Sequence, residues 1–431
     1  MGRLNWRTEE RGNALAKIIR DVLYGFIELD DQECEIINSP YFQRLRRIKQ
    51  LSLTNMIYPG AVHTRFEHSI GVMRMASDMF DVISKKYGAL LDDYKINKSG
   101  LDRSRKVIRM AALLHDVGHA PFSHSGENLF PIRDGENRYK HEEYSIAIIK
   151  QKFTDIINNH PDNFNNYGIR VEQVTELLGD QNIFLSDVSA LNPSVSSIFW
   201  KELISGSIDA DRADYLLRDS YHLGVKYGHY DNYRLVQFMA AATTETGALS
   251  IVVDEKGWMA AESLVLARYY MFSQVYFHKI RRVYDYHLYH VIKEVLRLKG
   301  EAGGCFPPPT EIDRYLAYDD WTIYSSIIND QCGEHGKIIR DRKHYKCLHD
   351  VNSPDDADLV RTKEQYKDMK DGCWYDDKAA TAWYKMNNDI QILHKNNKMK
   401  PLSEKSQLIK QLLELSNNVA NVRFYIDRAR G

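Results

Sequence analysis

The chain has 431 residues, 43% hydrophobic and 11% aromatic, enough to bury a sizeable core in one large domain or two ordinary ones. Its 58 lysines and arginines nearly balance 59 aspartates and glutamates, so no global charge marks it as a binder of nucleic acid or of a membrane surface, and any phosphate affinity must come from local clusters. The opening MGRLNWRTEERGNALAKIIRD lacks the apolar core of a signal sequence, no later run is long enough to cross a bilayer, and five cysteines without a CxxC pair disfavour a disulfide framework or zinc ribbon, so a soluble, cytoplasmic protein with reduced cysteines is expected.

In chain order the pattern is mostly α. In QRLRRIKQ, residues 43 to 50, a basic face stands opposite Leu45, Ile48 and Leu51, which turn one side of a helix inward. Ile70, Met73, Ala76, Phe80 and Ile83 recur at threes and fours and predict a helix. In AALLHDVGHAPFSHS, residues 111 to 125, an apolar helical run delivers His115 and Asp116 and breaks at Gly118. In IDADRADYLLRD, Asp211, Tyr215 and Asp219 recur at fours and share one helical face. ALSIVVD, residues 248 to 254, is the clearest strand, and Leu264, Ala267, Tyr270 and Met271 mark a further helix. Breaks fall at Gly100, at Gly118, from Pro161 to Gly168, and in GEAGGCFPPP from 300 to 309. These divide the chain into an N-terminal segment (1–40), a helical core with a small β element (41–300) and a mixed C-terminal region (301–431).

A buried helix has no reason to end in His-Asp-x-Gly-His unless its polar end meets something. An imidazole nitrogen and a neighbouring carboxylate oxygen can both reach one divalent cation, and that ligand mix suits iron, manganese, zinc or magnesium. GAVHTRFEHSIGV upstream offers Arg65 and His68, and GSIDADRADYLLRDSYHLG downstream offers Asp209, Asp211, Arg212, Tyr215 and Asp219. Ligands on separate helices are the form that a metal site takes in a helical bundle. Taken alone, a His-Asp dipeptide is common by chance, and a single arginine is more often a surface ion-pair partner.

The stretches YGFIELDDQECEIINSPYFQRLRRIKQL, YPGAVHTRFEHSIGV, LLHDVGHAPFSHS, KHEEYS, IDADRADYLLRD and VYFHK follow one another from about residue 17 to about 346. Together they resemble the HD-domain deoxynucleoside triphosphate triphosphohydrolases, especially the branch with the vertebrate sterile-alpha-motif/HD-domain enzymes and their bacterial relatives. The resemblance implies an HD-domain helical core and hydrolysis of dNTP to a deoxynucleoside and inorganic triphosphate. It implies a metal held by His68, His115, Asp116 and Asp211, which suits a mononuclear site, with Asp209 either a supporting residue or a helix N-cap. His119 and His141 match the catalytic histidines near the α-phosphate, His141 as the general acid, and Glu127 stands where an aspartate would orient it. Arg65, Arg212 and Arg268 match phosphate contacts. Gln50 and Asp219 match hydrogen-bonding partners of a sugar 3′-hydroxyl, Tyr215 matches the residue packed beneath the sugar, Leu51 packs nearby, and Tyr276 also fits beside Phe277, where relatives carry glutamine.

An activating nucleotide, GTP or a dNTP, is implied between subunits at Lys17, Gln43, Arg46, Arg342 and Lys346, with a second position at Arg234, His278 and Lys279, and with Asn38 replacing an aspartate that reads guanine. The implied partners are a dNTP substrate, that activator, and further copies of the chain in a dimer or tetramer; no membrane is implied. Single-stranded nucleic acid is a side reading of the basic helix. Two alternatives stay open: another nucleotide substrate, although HDVGHA is not HDxxED and no GYP follows it, and a non-catalytic nucleotide sensor.

Overall fold

A run of 29 residues, Arg65–Asp93, forms the longest helix and the spine of the molecule. Its start is set by Thr64, whose backbone N–H donates to Glu67 at 2.9 Å. Its apolar positions, Ile70, Met73, Ala76, Phe80 and Ile83, are all buried as the periodicity predicts. This is a computed structural model, and it describes residues 17–96, 98–135, 137–179, 195–351, 355–368, 372–376, 389–416 and 422–427. The first sixteen residues of the expected N-terminal segment therefore lie outside the described residues.

Lys98–Leu114 packs along the spine. Gly100 lies inside this helix and does not break it. It is the third residue, and the break falls just ahead of it, between the end of the spine at Asp93 and the start of this helix at Lys98. Ala210–Leu223 crosses the spine at Gly71, where a Cβ would run into the Asp214 carboxylate and the Arg218 guanidinium. Trp258–Met271 and Lys279–Leu298 complete the bundle around the site.

The sheets are small. Leu249–Asp254, the strand expected from ALSIVVD, pairs antiparallel with Met239–Thr243 and parallel with Gln391–Leu393, which in turn pairs with Met399–Pro401. Lys17–Asp21 and Gly25–Leu29 form a hairpin. Near the C-terminus, Val422–Ile426 is the central strand between Lys346–Val351 and Cys373–Asp376. The fold is mostly α with small β elements, as expected.

One hydrophobic cluster runs from Ile27 to Leu413, across the turn at 300 to 309. Tyr144 Oη donates to Pro307 O at 2.8 Å, and Tyr315 Oη to Gly118 O at 2.7 Å. Arg44 departs from the expected basic outer face: it is 1% exposed, donating to Tyr318 O at 2.9 Å and to His119 O at 3.1 Å. None of the five cysteines is in a disulfide. Among the described residues no helix is long and apolar enough to cross a membrane.

Candidate functional site

The Lys98–Leu114 helix ends in the apolar run Met110–Leu114, and the next two residues are His115 and Asp116. Gly118 permits this turn to lie against the first turn of the His141–Ile148 helix, because a Cβ there would strike Ser145 N and His141 O. His68, on the first turn of the spine, points its Nε2 at Asp211 Oδ1 (3.0 Å) and Asp116 Oδ2 (3.5 Å). His115 Nε2 lies 3.2 Å from Asp116 Oδ1 and 3.8 Å from Asp211 Oδ1. Separate parts of the chain thus bring the four expected ligands together.

The other nitrogen of each imidazole decides what the first can do. His68 Nδ1 donates to Asp214 Oδ2 at 2.8 Å, and His115 Nδ1 to Ala112 O at 2.8 Å. In the neutral rings this leaves both Nε2 lone pairs facing carboxylate oxygens, and neither Nε2 has a hydrogen-bond partner, although both are buried. Lone pairs converging on carboxylates are repulsive unless a cation lies between them, so these residues fit a divalent metal. Without one the site draws in a proton: burial opposes charge on His68, yet its bonds to Asp211 and Asp214 raise its pKa to about 10.

Beside the quartet lies a second cluster. His119 Nδ1 is 2.6 Å from Glu127 Oε1, and its Nε2 is 3.1 Å from Asp116 Oδ1. His141 stacks on His119 with centroids 3.9 Å apart, its Nδ1 3.3 Å from the same Glu127 oxygen. Glu127 therefore reaches His141 and grips His119 more closely. Burial, then the charges of Arg65 and His141, lower the His119 pKa to about 4. Burial also opposes charge on His141, but Glu127 overcomes it and raises the pKa to about 9. The stacked pair therefore holds one neutral and one charged ring.

The loop between the clusters is held in an unusual backbone conformation. Phe122 and Ser123 have φ of 58° and 56°, costly for residues with a Cβ. Contacts on both sides fix it: Phe122 N donates to Asp320 Oδ1 at 2.6 Å, and Ser123 Oγ donates to Lys49 O at 2.7 Å while accepting from Arg65 Nε at 2.9 Å. Arg65 in turn donates to Asp116 Oδ2 at 2.5 Å.

A cavity of about 700 Å³ opens over both clusters. Gln50, Leu51, Arg65, Arg212, Tyr215, Asp219 and Tyr276 all line it, as does Phe277. Asp211, Tyr215 and Asp219 face it together from the Ala210–Leu223 helix. Arg268 does not line it; its guanidinium lies over the Phe272 ring at 5.4 Å, and its charge acts on Tyr215 and Asp209. Asp209 is the helix N-cap, accepting from Arg212 N at 2.8 Å, and it also pairs with the Arg212 side chain at 2.8 Å.

Sequence reasoning missed four residues here. Asp214 orients His68; His63 holds Asp219 from Nε2 at 2.8 Å; His124 lies 3.2 Å from Glu127; and Asp285 accepts from Ser125 at 2.7 Å on the cavity wall. The histidine in FSHS and the third aspartate in DADRAD were visible as polar residues in the motifs, but their partners were not.

None of the positions matched to an activator lines this cavity. They sit in three local groups. Lys17, Asn38, Gln43 and Arg46 surround the Asp31–Asn38 helix, where Gln43 donates to Ile37 O at 2.7 Å and Arg46 to Gln43 at 2.9 Å. Near the C-terminal sheet, Arg342 donates to Met56 O at 3.0 Å, His278 meets Tyr58 edge-on, Lys279 O accepts from Tyr425 at 3.0 Å, and Lys346 pairs with Ile426. Arg234 donates to Lys256 O at 2.9 Å.

The HD domain family matches residues 65–219, a span that holds the whole metal quartet, and the HD associated region matches residues 230–371. The chain carries an HD domain. The chain is similar to an uncharacterized protein of Methanocaldococcus jannaschii, 38% identical over 281 residues, covering 65% of this chain and 50% of that one. It is also similar to the deoxynucleoside triphosphate triphosphohydrolase SAMHD1 homolog of Dictyostelium discoideum, 31% identical over 288 residues, covering 65% of this chain and 49% of that one. In structure it resembles a hypothetical protein from Aquifex aeolicus, with a TM-score of 0.73 and 28% identity over 96% of this chain and 97% of the other. The chain spans about half the length of the curated relatives just named.

Proposed function

We propose that the protein is a metal-dependent dNTP triphosphohydrolase, releasing a deoxynucleoside and inorganic triphosphate. The observation that carries this reading is the meeting, in one nucleotide-sized cavity, of a metal-ready quartet, a proton-bearing histidine and two arginines. Similarity to the SAMHD1 homolog supports it.

His68, His115, Asp116 and Asp211 would hold iron, manganese, zinc or magnesium, which when bound lowers the pKa of a water and polarises the α-phosphate. Arg65 and Arg212 line the cavity and offset charge on the triphosphate, with Arg268 adding to the positive field from outside its wall. His141, kept protonated by Glu127, gives its proton to the departing 5′-oxygen, and neutral His119 positions it by stacking. Asp219 receives Tyr276 Oη at 2.6 Å and His63 at 2.8 Å, which fixes its carboxylate for a sugar 3′-hydroxyl with Gln50 alongside. Tyr215, with Leu51 nearby, closes the floor beneath the sugar, where a 2′-hydroxyl would collide.

The region from residue 301 carries Arg342 and Lys346 and serves regulation or assembly in this reading, with GTP or a dNTP bound between copies of a dimer or tetramer in the cytoplasm. The test is a panel of dNTPs and ribonucleotides with manganese or magnesium, with and without GTP. Triphosphate should appear from dNTPs and vanish in His115→Ala/Asp116→Ala. Failure of every dNTP to yield triphosphate, or faster turnover of cyclic or signalling nucleotides, would reject the reading.

A further inference from the structure

The helix Asp320–Ile328 lies outside the HD domain, in the HD associated region, yet its first residue reaches the back of the cavity wall. Asp320 is 2% exposed. Its Oδ1 accepts from Phe122 N at 2.6 Å and its Oδ2 from Lys49 N at 2.9 Å. Ser123 Oγ donates to Lys49 O at 2.7 Å, so Asp320, Lys49, Phe122 and Ser123 form a closed ring of contacts.

Three parts of the site hang on this ring. Gln50 follows Lys49; its N donates to His63 O at 3.1 Å, and its Oε1 is buried on the cavity wall without a hydrogen-bond partner. Arg65 donates from Nε to Ser123 Oγ at 2.9 Å and from Nη1 to Asp116 Oδ2. His124 follows Ser123 and lies 3.2 Å from Glu127. The sugar contact, a phosphate cation and the histidine cluster are therefore set by one carboxylate and the two backbone N–H groups that it accepts.

Nothing in the helix itself requires that carboxylate. Asp319 already caps the helix, accepting from Thr322 N at 2.9 Å. A buried carboxylate is costly unless it is paired or hydrogen-bonded. Among the described residues no ion pair reaches Asp320, and Lys49 Nζ turns instead to Asn55 Oδ1 at 3.2 Å. The left-handed backbone of Phe122 and Ser123 is not favoured by either residue type, so it persists only where its surroundings impose it.

We propose that Asp320 is a positioning residue for the reaction, supplied from outside the HD domain, which locks the Gln50 segment and the Phe122–His124 turn into one register. The inference rests on the triphosphohydrolase reading for its chemistry. A substrate 3′-hydroxyl donating to Gln50 Oε1 then stands at a fixed distance from Arg65 and from the histidines that serve the departing oxygen. With the ring opened, the two segments shift independently and that distance is lost.

The experiment compares Asp320→Asn with the unsubstituted full chain by hydrogen exchange and by kinetics. Exchange should rise in residues 47–52 and in residues 119–125 together. With a dNTP, kcat/KM should fall roughly tenfold or more. With the matching 2′,3′-dideoxynucleotide it should fall less, because the Gln50 contact is not there to lose. Equal losses on the two substrates, as a merely less stable protein would show, or unaltered exchange in either segment, would overturn the proposal. If the unsubstituted protein hydrolyses no dNTP, the triphosphohydrolase reading fails by itself and exchange alone decides the role of Asp320. If Asp320→Asn does not fold, Ser123→Ala opens the same ring from the opposite side and the same outcomes decide.

Discussion

Asp214 accepts from His68 through one oxygen and from Arg218 through both, and Arg218 also reaches Asp21 at 2.9 Å. Its carboxylate fixes the tautomer that aims the His68 lone pair at the metal position. Asp214→Asn keeps the shape and loses the charge, and manganese affinity should fall about 10–100-fold in a metal titration; unchanged affinity would show that His68 orients itself. His141 sets the pH limit. Because its pKa is held at about 9, kcat should be flat through neutrality and fall as pH rises through about 9, and Glu127→Gln should move that limb to lower pH. The linkage has the same sign: the folded pKa exceeds the ordinary value of 6.5, so this stabilisation is complete below 6.5 and is lost as pH rises to about 9. His115 and Asp116 were legible in the sequence because the apolar, buried end of their helix, Met110–Leu114, has no other reason to run into them. Asp214 and His63 were not, because their partners lie 146 and 156 residues away.

Between elements, one close approach falls at Gly71, where the spine helix admits Asp214 and Arg218. Gly71→Ala should cost about 1–3 kcal/mol in denaturant unfolding by overpacking, with metal affinity falling alongside because the displaced carboxylate is the one that holds His68. Loss of stability with unaltered metal binding would separate the crossing from the site. Helical periodicity revealed the spine and the shared face of Asp211, Tyr215 and Asp219. It placed a break at Gly100, a few residues past the one between Asp93 and Lys98. It also misjudged Arg44, which looked like part of a solvated stripe but is buried, donating from Nε to Tyr318 O, 274 residues away, and from Nη1 to His119 O. The left-handed pair Phe122 and Ser123 carries no signal in residue type, because Asp320, Lys49 and Arg65 impose it from elsewhere.

Over the whole molecule, one core joins the HD region to residues beyond 300, and the C-terminal sheet is anchored to it by Arg282, which grips Asp376 with two bonds of 2.8 Å. Strands as short as Gln391–Leu393 find their place in a sheet only by pairing with Leu249–Asp254 and Met399–Pro401, and the sequence beyond about 350 held no readable motif. The proposed activator sites belong at this scale, and light scattering should show mass increasing toward a dimer or tetramer when GTP or a dNTP is added; a mass insensitive to nucleotide would remove the activator from the account. The central claim is most directly tested by phosphorus NMR of a dNTP turned over with manganese. The account predicts inorganic triphosphate as the only phosphorus product, with an equal amount of deoxynucleoside. Pyrophosphate, orthophosphate, or an intact dNTP beside metal-loaded protein would contradict it.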